Sequence, residues 1–168
     1  MFSLKYVHVD CIPAAIEKAD RYRLLNEPEQ AESICQDVLL VEPDNQAALT
    51  TLILALTDRL YGPRPSSPQL ALNLVPRLHA EYDRAYFAGL IAERQGIAWM
   101  RSGKPRADDA AYDYFREAMA HFEAADAIRP AANDDARLRW NSCARMIMAD
   151  LRVSPADHAP NVVADLGE

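Results

Sequence analysis

The sequence predicts an all-α protein of about seven helices, and three observations support that prediction. Half of the 168 residues are hydrophobic, which is enough to build a folded core. Only 5 residues are glycine, whereas alanine and leucine are abundant, and this composition favours helix over sheet. Apolar residues recur at helical spacing in runs that end at proline-containing breaks.

The first two helices are separated by a proline. The first is expected over residues 13–25, with its apolar side chains along one stripe. It ends at residues 26–28, because proline disfavours helix in the residue before it. Pro28 can occupy the first turn of the next helix, which is expected over residues 29–41.

A second proline, Pro43, separates the second helix from the third. Asp44 or Asn45 offers a side-chain oxygen to the free amides at the start of the third helix, which is expected over residues 46–60. That helix is apolar on most of its circumference, so it is predicted to have neighbours on both sides.

Residues 61–68 are rich in proline, glycine and serine and predict a loop. A fourth helix is expected to follow, capped by Ser66 or Ser67 and extending to Leu78. Pro76 lies inside this run, and we expect it to kink the helix or to end it early.

Three longer helices complete the prediction. The fifth is expected over residues 83–102 and ends at Gly103. The sixth is expected over residues 110–128 and ends before a proline. Asn133 caps the seventh, which is expected to extend to about Arg152.

Two of these helices share one residue spacing. In each, a small residue is followed four positions later by a second small or apolar residue. A third such residue comes three positions after the second, and a proline comes five positions after the third. The two sets are Ala31-Cys35-Val38-Pro43 and Ala118-Phe122-Ala125-Pro130. The first two steps place three residues on one helix face, and the last places the stop one turn beyond them. A helix–turn–helix unit that recurs is typical of a solenoid.

The second set resembles the second-helix signature of the tetratricopeptide repeat (TPR) family at all four positions, and the first set resembles it at its first and last positions. That signature is a small residue, an aromatic, an alanine and a proline in the turn. The family's first-helix signature, a small residue three positions before an aromatic, is matched by Ala19 with Tyr22 and by Gly96 with Trp99. Residues 12–45 also span the family's period of 34 residues.

The resemblance implies a right-handed superhelical stack of antiparallel helix pairs. Three pairs and a capping helix would occupy residues 12–152. Residues 1–12 would form an N-terminal arm. Residues 153–168 are proline-broken and non-periodic, and we expect a flexible tail there.

Charge and cysteine usage limit the class of protein. The formal net charge of −7 disfavours a duplex nucleic-acid binder, which needs a basic face. The sequence has no apolar run long enough for a membrane span and no secretory-signal pattern at its start, so neither is expected. The three cysteines, Cys11, Cys35 and Cys143, show no paired spacing, which favours a reducing, cytoplasmic setting.

Patterns typical of an active site are weak, and we expect neither an enzyme nor a bound cofactor. His8 and Cys11 lack a second pair of metal ligands at suitable spacing. Cys35 stands where the repeat needs an apolar side chain, so we interpret it as a core residue. His79 and His121 lie outside any obvious catalytic triad.

The TPR resemblance implies that the first helix of each pair faces a concave groove that binds a peptide. The groove residues implied by it are Asp20, Arg23, Glu93, Arg94, Ile97, Met100, Arg101, Arg137, Asn141 and Arg145, with Ile16, Thr50, Leu54 and Thr57 beside them. Arginine forks suit carboxylates, so an acidic peptide is the expected ligand of the arginines in the C-terminal half. The alternative is that these arginines pair with local acids on a solvated face.

The expected function is therefore that of a protein–protein interaction module: an adaptor, scaffold or assembly factor. A small acidic chaperone for a secreted or membrane-associated client is the alternative, and an enzyme with an unrecognised site is a third. Family members that clamp a terminal carboxylate use lysine and asparagine where this chain has Ile16 and Asp20, so that partner is not expected. Self-association through Tyr86, Phe87 or the seventh helix is also possible.

Overall fold

The computed structural model describes residues 2–61 and 64–149, and these ranges contain seven α-helices and no strand. The all-α prediction is confirmed. The helices are α1 (Ile12–Leu24), α2 (Pro28–Val41), α3 (Gln46–Asp58), α4 (Pro68–Leu72), α5 (Glu81–Ser102), α6 (Ala107–Ala127) and α7 (Asp135–Ala149). Two 3-10 turns, Val9–Cys11 and Val75–Arg77, precede α1 and α5. The expected end of the seventh helix at Arg152 and the expected tail lie outside the described residues.

The breaks between the first three helices are where proline and asparagine predict them. Pro28 occupies the first position of α2, where its missing N–H costs nothing. The Oδ1 atom of Asn45 accepts a hydrogen bond of 2.9 Å from the amide of Ala48, so the α3 cap is Asn45 and not Asp44. The side-chain amide of Asn45 also donates to the Glu42 carboxylate at 2.7 Å, which ties the end of α2 to the start of α3.

The fourth helix is shorter than predicted. Ser67 caps it, but α4 ends at Leu72 and does not extend to Leu78. Pro76 lies within the 3-10 turn that follows, since proline lacks the N–H that an α-helix needs at that point. The expected early end is therefore correct, and the expected length is wrong. Leu78 is nonetheless buried in the core.

The later helices begin and end close to the predicted residues. Gly103 ends α5 with a φ of 62°, in the left-handed region that favours glycine. The helix α6 begins at Ala107, with Asp108 and Asp109 in its first turn near the positive end of the dipole. Asn133 accepts a hydrogen bond of 2.9 Å from the amide of Asp135 at the start of α7.

Helices that follow one another in the chain pack together, and so do alternate helices. Helix α1 contacts α3, α3 contacts α5, and α5 contacts α7, while the most extensive interface joins α5 to α6. One continuous core joins side chains from all seven helices. None of the helices in the described ranges is both long and apolar enough to cross a membrane.

The two sets of equally spaced residues face the interior, where Val38 belongs to a second, smaller cluster with Ile12 and Ala48 and the other helical members belong to the main core. Their six helical members, Ala31, Cys35, Val38, Ala118, Phe122 and Ala125, are all fully buried. Glycines on α5 make room for the aromatics of α6. A Cβ atom at Gly89 would lie 2.8 Å from the Phe122 ring, and one at Gly96 would lie 2.8 Å from the Phe115 ring. The close approach of α5 and α6 thus depends on glycine facing phenylalanine.

Candidate functional site

A cleft of about 500 Å³ lies between the end of α3 and the C-terminal part of α5. Its size falls within the range of small-ligand and side-chain pockets. The lining residues come from the end of α3, the loop that follows, the start of α4 and the last turns of α5, and they are Leu60, Tyr61, Pro65, Pro68, Gln95, Ala98, Trp99, Arg101, Ser102 and Lys104. We call this the α3–α5 cleft.

Two cations lie over aromatic rings in the α3–α5 cleft. The guanidinium carbon of Arg101 is 4.3 Å from the centre of the Tyr61 ring, and Lys104 Nζ is 5.3 Å from the centre of a Trp99 ring. Both distances are short enough for cation–π attraction. Among the described residues neither cation forms a salt bridge, and the lining includes no carboxylate. Within the described part of the chain, the cleft therefore combines apolar walls with two cations that have no acidic partner.

The cleft owes its shape to the ends of two helices. Because Gly103 turns the chain in the left-handed region, Lys104 can lie back over Trp99. On the other wall, the Ser66 hydroxyl donates to the carbonyl of Leu56 at 2.6 Å, and its amide donates to the carbonyl of Arg59 at 2.9 Å. These bonds hold the loop against the end of α3, beside Tyr61.

A neighbouring cleft of about 680 Å³ shares Tyr61, but unlike the α3–α5 cleft it contains acids, and these pair with arginines. Asp58 accepts a hydrogen bond of 3.0 Å from Arg23 Nε and lies 3.8 Å from Arg94. Arg59 pairs with Glu32 and lies 3.7 Å from Glu29. Since each acid here faces an arginine, this cleft is better interpreted as a set of ion pairs that joins α1, α2, α3 and α5.

The structure brings some of the predicted groove residues together. Asp58, which was not among the predicted groove residues, joins Arg23 of α1 to Arg94 of α5. Asp20 accepts a hydrogen bond of 3.0 Å from the Thr51 hydroxyl, which links α1 to α3. Arg101 is exposed and lies in the α3–α5 cleft.

Glu93 is placed in the interior, where 3% of its side chain is exposed. Both of its carboxylate oxygens lie 3.3 Å from Arg139 Nη1 on α7. Burial raises the pKa of Glu93, and the charges of Arg139 and Arg94 oppose that rise. This ion pair links α5 to α7, and it leaves little of the Glu93 carboxylate for a ligand.

The remaining predicted groove residues have different surroundings. Ile97 and Met100 are half-buried against the core. Arg137 lies 3.1 Å from Asp126 of α6 and 3.4 Å from Asp134. A hydrogen bond from Arg137 to Asp126 raises the pKa of the arginine. The other two residues, on α7, are Asn141, which is half-buried, and Arg145, which is exposed.

Two of the three cysteines are core residues. Burial raises the pKa of the Cys35 thiol to about 12 and that of the Cys143 thiol to about 12. Cys11 is exposed. Within the described ranges, no three His, Cys, Asp or Glu side chains come together as a possible metal site.

The sequence prediction missed Tyr61, Trp99 and Lys104 as members of a binding cleft. In the sequence, Trp99 is part of the TPR-like signature and Tyr61 begins the proline-rich loop. The available signal was an aromatic residue near each helix end, Tyr61 after α3 and Trp99 in the last turn of α5, with a basic residue a few positions later at Arg64 and Lys104. No family model, curated protein or solved structure matches the chain.

Proposed function

We propose that this chain is a protein–protein interaction module, an adaptor, scaffold or assembly factor, whose α3–α5 cleft binds an acidic peptide segment. One observation supports this most strongly: two cations without carboxylate partners among the described residues lie over aromatic rings in an apolar cleft, on a protein of net charge −7. Fixed positive charge on an otherwise acidic protein favours an anionic ligand.

The chemistry of the cleft suggests how such a segment binds. The planar fork of Arg101 can hold a carboxylate in two parallel hydrogen bonds, and Lys104 adds a point charge. The apolar faces of Leu60, Ala98 and Pro65 can contact an aliphatic side chain next to the acid. The preferred ligand is therefore an extended segment in which acidic and apolar residues are adjacent.

We further propose that the helices form a superhelical solenoid of the TPR kind. Three features support this: alternate helices contact one another, both sets of equally spaced residues are buried, and glycine faces phenylalanine between α5 and α6. In such a stack the odd-numbered helices line one side, where Arg23, Arg94 and Arg101 lie.

The structure favours Arg101 and Lys104 over the wider set of groove arginines. Arg94 and Arg137 already face Asp58 and Asp126 and would have to exchange those partners for a ligand. Losing an existing ion pair offsets most of the energy gained from a new one.

The test uses fluorescence anisotropy of a labelled acidic peptide of alternating aspartate and leucine, with an asparagine counterpart as reference. We expect the change Arg101→Ala with Lys104→Ala to weaken binding at least about tenfold, which corresponds to about 1.4 kcal/mol. The control Lys18→Ala with Arg116→Ala removes the same two residue types from outside the cleft and should leave binding unchanged. Equal loss in both variants, or equal binding of the asparagine peptide, would refute the proposal.

One observation favours the chaperone alternative. Residues 2–7 have no helical structure, and Phe2, Leu4 and Tyr6 alternate along them with at least three quarters of each exposed. Exposed apolar side chains at alternate positions can contact an aggregation-prone client. A chaperone would slow client aggregation in light-scattering assays, and replacing these three residues by serine would remove the effect. An adaptor that uses the α3–α5 cleft would be insensitive to the same change.

A further inference from the structure

Helix α7 runs beside α5 in the same direction. At the start of both helices, Tyr82 donates a hydrogen bond of 3.2 Å to Asn133. Further along, Glu93 meets Arg139 at 3.3 Å. Each helical residue advances the chain by about 1.5 Å, so the end of α7, Ala149, lies about level with the end of α5. The last described residue of α7 therefore lies near the end of α5 that lines the α3–α5 cleft.

The segment that follows, residues 150–168, has the charge that the cleft lacks. It contains four acids and one arginine, and 4 − 1 gives a net charge of −3. The charged residues are Asp150, Arg152, Asp157, Asp165 and Glu168. Leucine follows Asp150 and Asp165 directly, which is the adjacency of acidic and apolar residues that the cleft chemistry favours.

The segment is long enough to reach the cleft. Residues 150–168 number 19, and an extended chain spans about 3.3–3.6 Å per residue, so the segment covers up to about 60 Å. Crossing the end of α5 needs only about 10 Å for each helix diameter.

We propose that residues 150–168 bind the α3–α5 cleft of their own chain as an internal ligand. The proposal rests on the proposed function only for the assignment of the cleft. A tethered ligand competes at an effective concentration of about millimolar, so an external acidic segment must displace it. The internal segment thereby sets a threshold that only partners of higher affinity or high local concentration exceed.

The test measures how exposed Trp99 is in the full-length chain. The chain has 2 tryptophans, so Trp140→Phe leaves Trp99 as the sole indole. Neutralising the segment with Asp150→Asn, Asp157→Asn, Asp165→Asn and Glu168→Gln should increase the quenching of Trp99 by acrylamide about twofold. The same four changes, with both tryptophans retained, should tighten binding of the labelled aspartate–leucine peptide about tenfold. Unchanged values in both measurements would overturn the proposal.

A second pair of variants tests whether the change in Trp99 quenching arises at the α3–α5 cleft. In a chain that carries Arg101→Ala and Lys104→Ala, neutralising the segment should leave Trp99 quenching unchanged. In a chain that carries the control changes Lys18→Ala and Arg116→Ala, it should increase quenching as in the parent. An equal increase in both backgrounds would show that the segment acts away from the cleft, and the proposal would be wrong.

The two proposals fail in different ways. If the labelled peptide binds through Arg101 and Lys104 but the four neutralising changes affect neither measurement, the internal ligand is refuted and the proposed function stands. If neutralisation exposes Trp99 but no acidic peptide binds any variant, the internal contact stands and the proposed function is refuted.

Discussion

Helices α2 and α6 carry the same spacing of buried residues but fill it with side chains of different volume. Where α2 has Cys35, α6 has Phe122, and both are fully buried. The helix that packs before α6 provides space for the ring through Gly89. The helix before α2 has the buried Ala19 instead. The comparison teaches that one spacing admits two packing solutions, a large ring that faces glycine and a small side chain in a helix whose neighbour carries a buried alanine.

The same two halves differ in how charge joins their helices. In the C-terminal half, Glu93 pairs with Arg139 and 3% of the Glu93 side chain is exposed. In the N-terminal half, Arg23 pairs with Asp58, and 22% of the Asp58 side chain is exposed. A pair with one deeply buried member is the more costly one to break, because it leaves a charge without water.

The largest loss of stability should come from removing the buried aromatic ring of α6. Phe122→Ala removes a fully buried ring and should lower the free energy of unfolding by about 3–5 kcal/mol. Cys35→Ala at the matching position of α2 removes one sulfur and should cost about 1–2 kcal/mol. Urea denaturation followed by circular dichroism measures both. Equal losses would show that the two halves do not differ in packing as described.

Breaking the buried ion pair should have the next largest effect. Arg139→Ala leaves the Glu93 carboxylate without its nearest cation and should cost about 2 kcal/mol at neutral pH, a figure reduced because a third of the Arg139 side chain is exposed. Arg23→Ala is the matched change in the other half and should cost about 1 kcal/mol or less. The ranking is measured by urea denaturation of both variants.

The ion pair also predicts a pH dependence. Because burial raises the pKa of Glu93, the folded state holds the proton more tightly than the unfolded state does. Stability from this group is present below its usual pKa of 4.5 and is lost as the pH rises through the raised pKa. Removing Arg139 raises that pKa further, so the loss in Arg139→Ala should be larger at pH 8 than at pH 4. A loss that shrinks as the pH rises would contradict this assignment.

Adding a methyl group at a glycine of α5 should lower the free energy of unfolding by less than removing the Phe122 ring does. In Gly96→Ala the new Cβ meets the Phe115 ring at 2.8 Å. Overpacking of about 1–3 kcal/mol is offset in part by about 1 kcal/mol of helix propensity, which leaves a loss of at most about 2 kcal/mol. Thermal unfolding measures it.

A second glycine provides the control for this steric account. A Cβ at Gly103 would meet no atom within 4 Å, so Gly103→Ala acts through its positive φ alone and should cost about 1 kcal/mol. Adding Phe115→Leu should recover part of the loss in Gly96→Ala and none of the loss in Gly103→Ala. Recovery in both, or in neither, would contradict contact with the ring.

The smallest loss of stability should come from removing the asparagine side chains that lie between α2 and α3 and between α6 and α7. Asn45→Ala removes the cap of α3 and should cost about 1 kcal/mol, whereas Asn45→Ser should retain most of the stability. Asn133→Ala removes both the bond to the Asp135 amide and the bond from Tyr82, and should cost about 1–2 kcal/mol. Urea denaturation compares the three variants. If Asn45→Ala were neutral, the cap would not be what begins α3.

The helical architecture could be predicted from local signals. Pro28, Asn45 and Gly103 act on the backbone within one turn, so their effects can be read without knowing the fold. The prediction failed at α4, where it extended the helix to Leu78 on the strength of apolar spacing. Helical spacing correctly indicates that Leu78 is buried. The spacing does not show whether the backbone between Leu72 and Leu78 is helical.

The candidate site could be predicted only in part. Arg101 was expected to line a groove, and it does lie in the α3–α5 cleft. Glu93 was expected in the same groove, yet it lies in the interior opposite Arg139. Both belong to α5 and differ only in which neighbour each faces. Which neighbour each residue faces depends on where α7 packs, and no local sequence signal specifies the position of α7.

The sequence by itself determined where most of the helices begin and end, with α4 as the exception, which apolar residues are buried, and that two helices share one spacing. These properties follow from backbone sterics and side-chain periodicity, which act over one or two turns. Only the tertiary structure decided which charges meet and, among the described residues, which cations lie over aromatic rings instead. Asp58 neutralises Arg23 and Arg94 across three helices, while Tyr61 and Trp99 hold Arg101 and Lys104 beside an apolar cleft. Electrostatic pairing falls off within a few ångströms, so it depends on distances that exist only once the helices have packed.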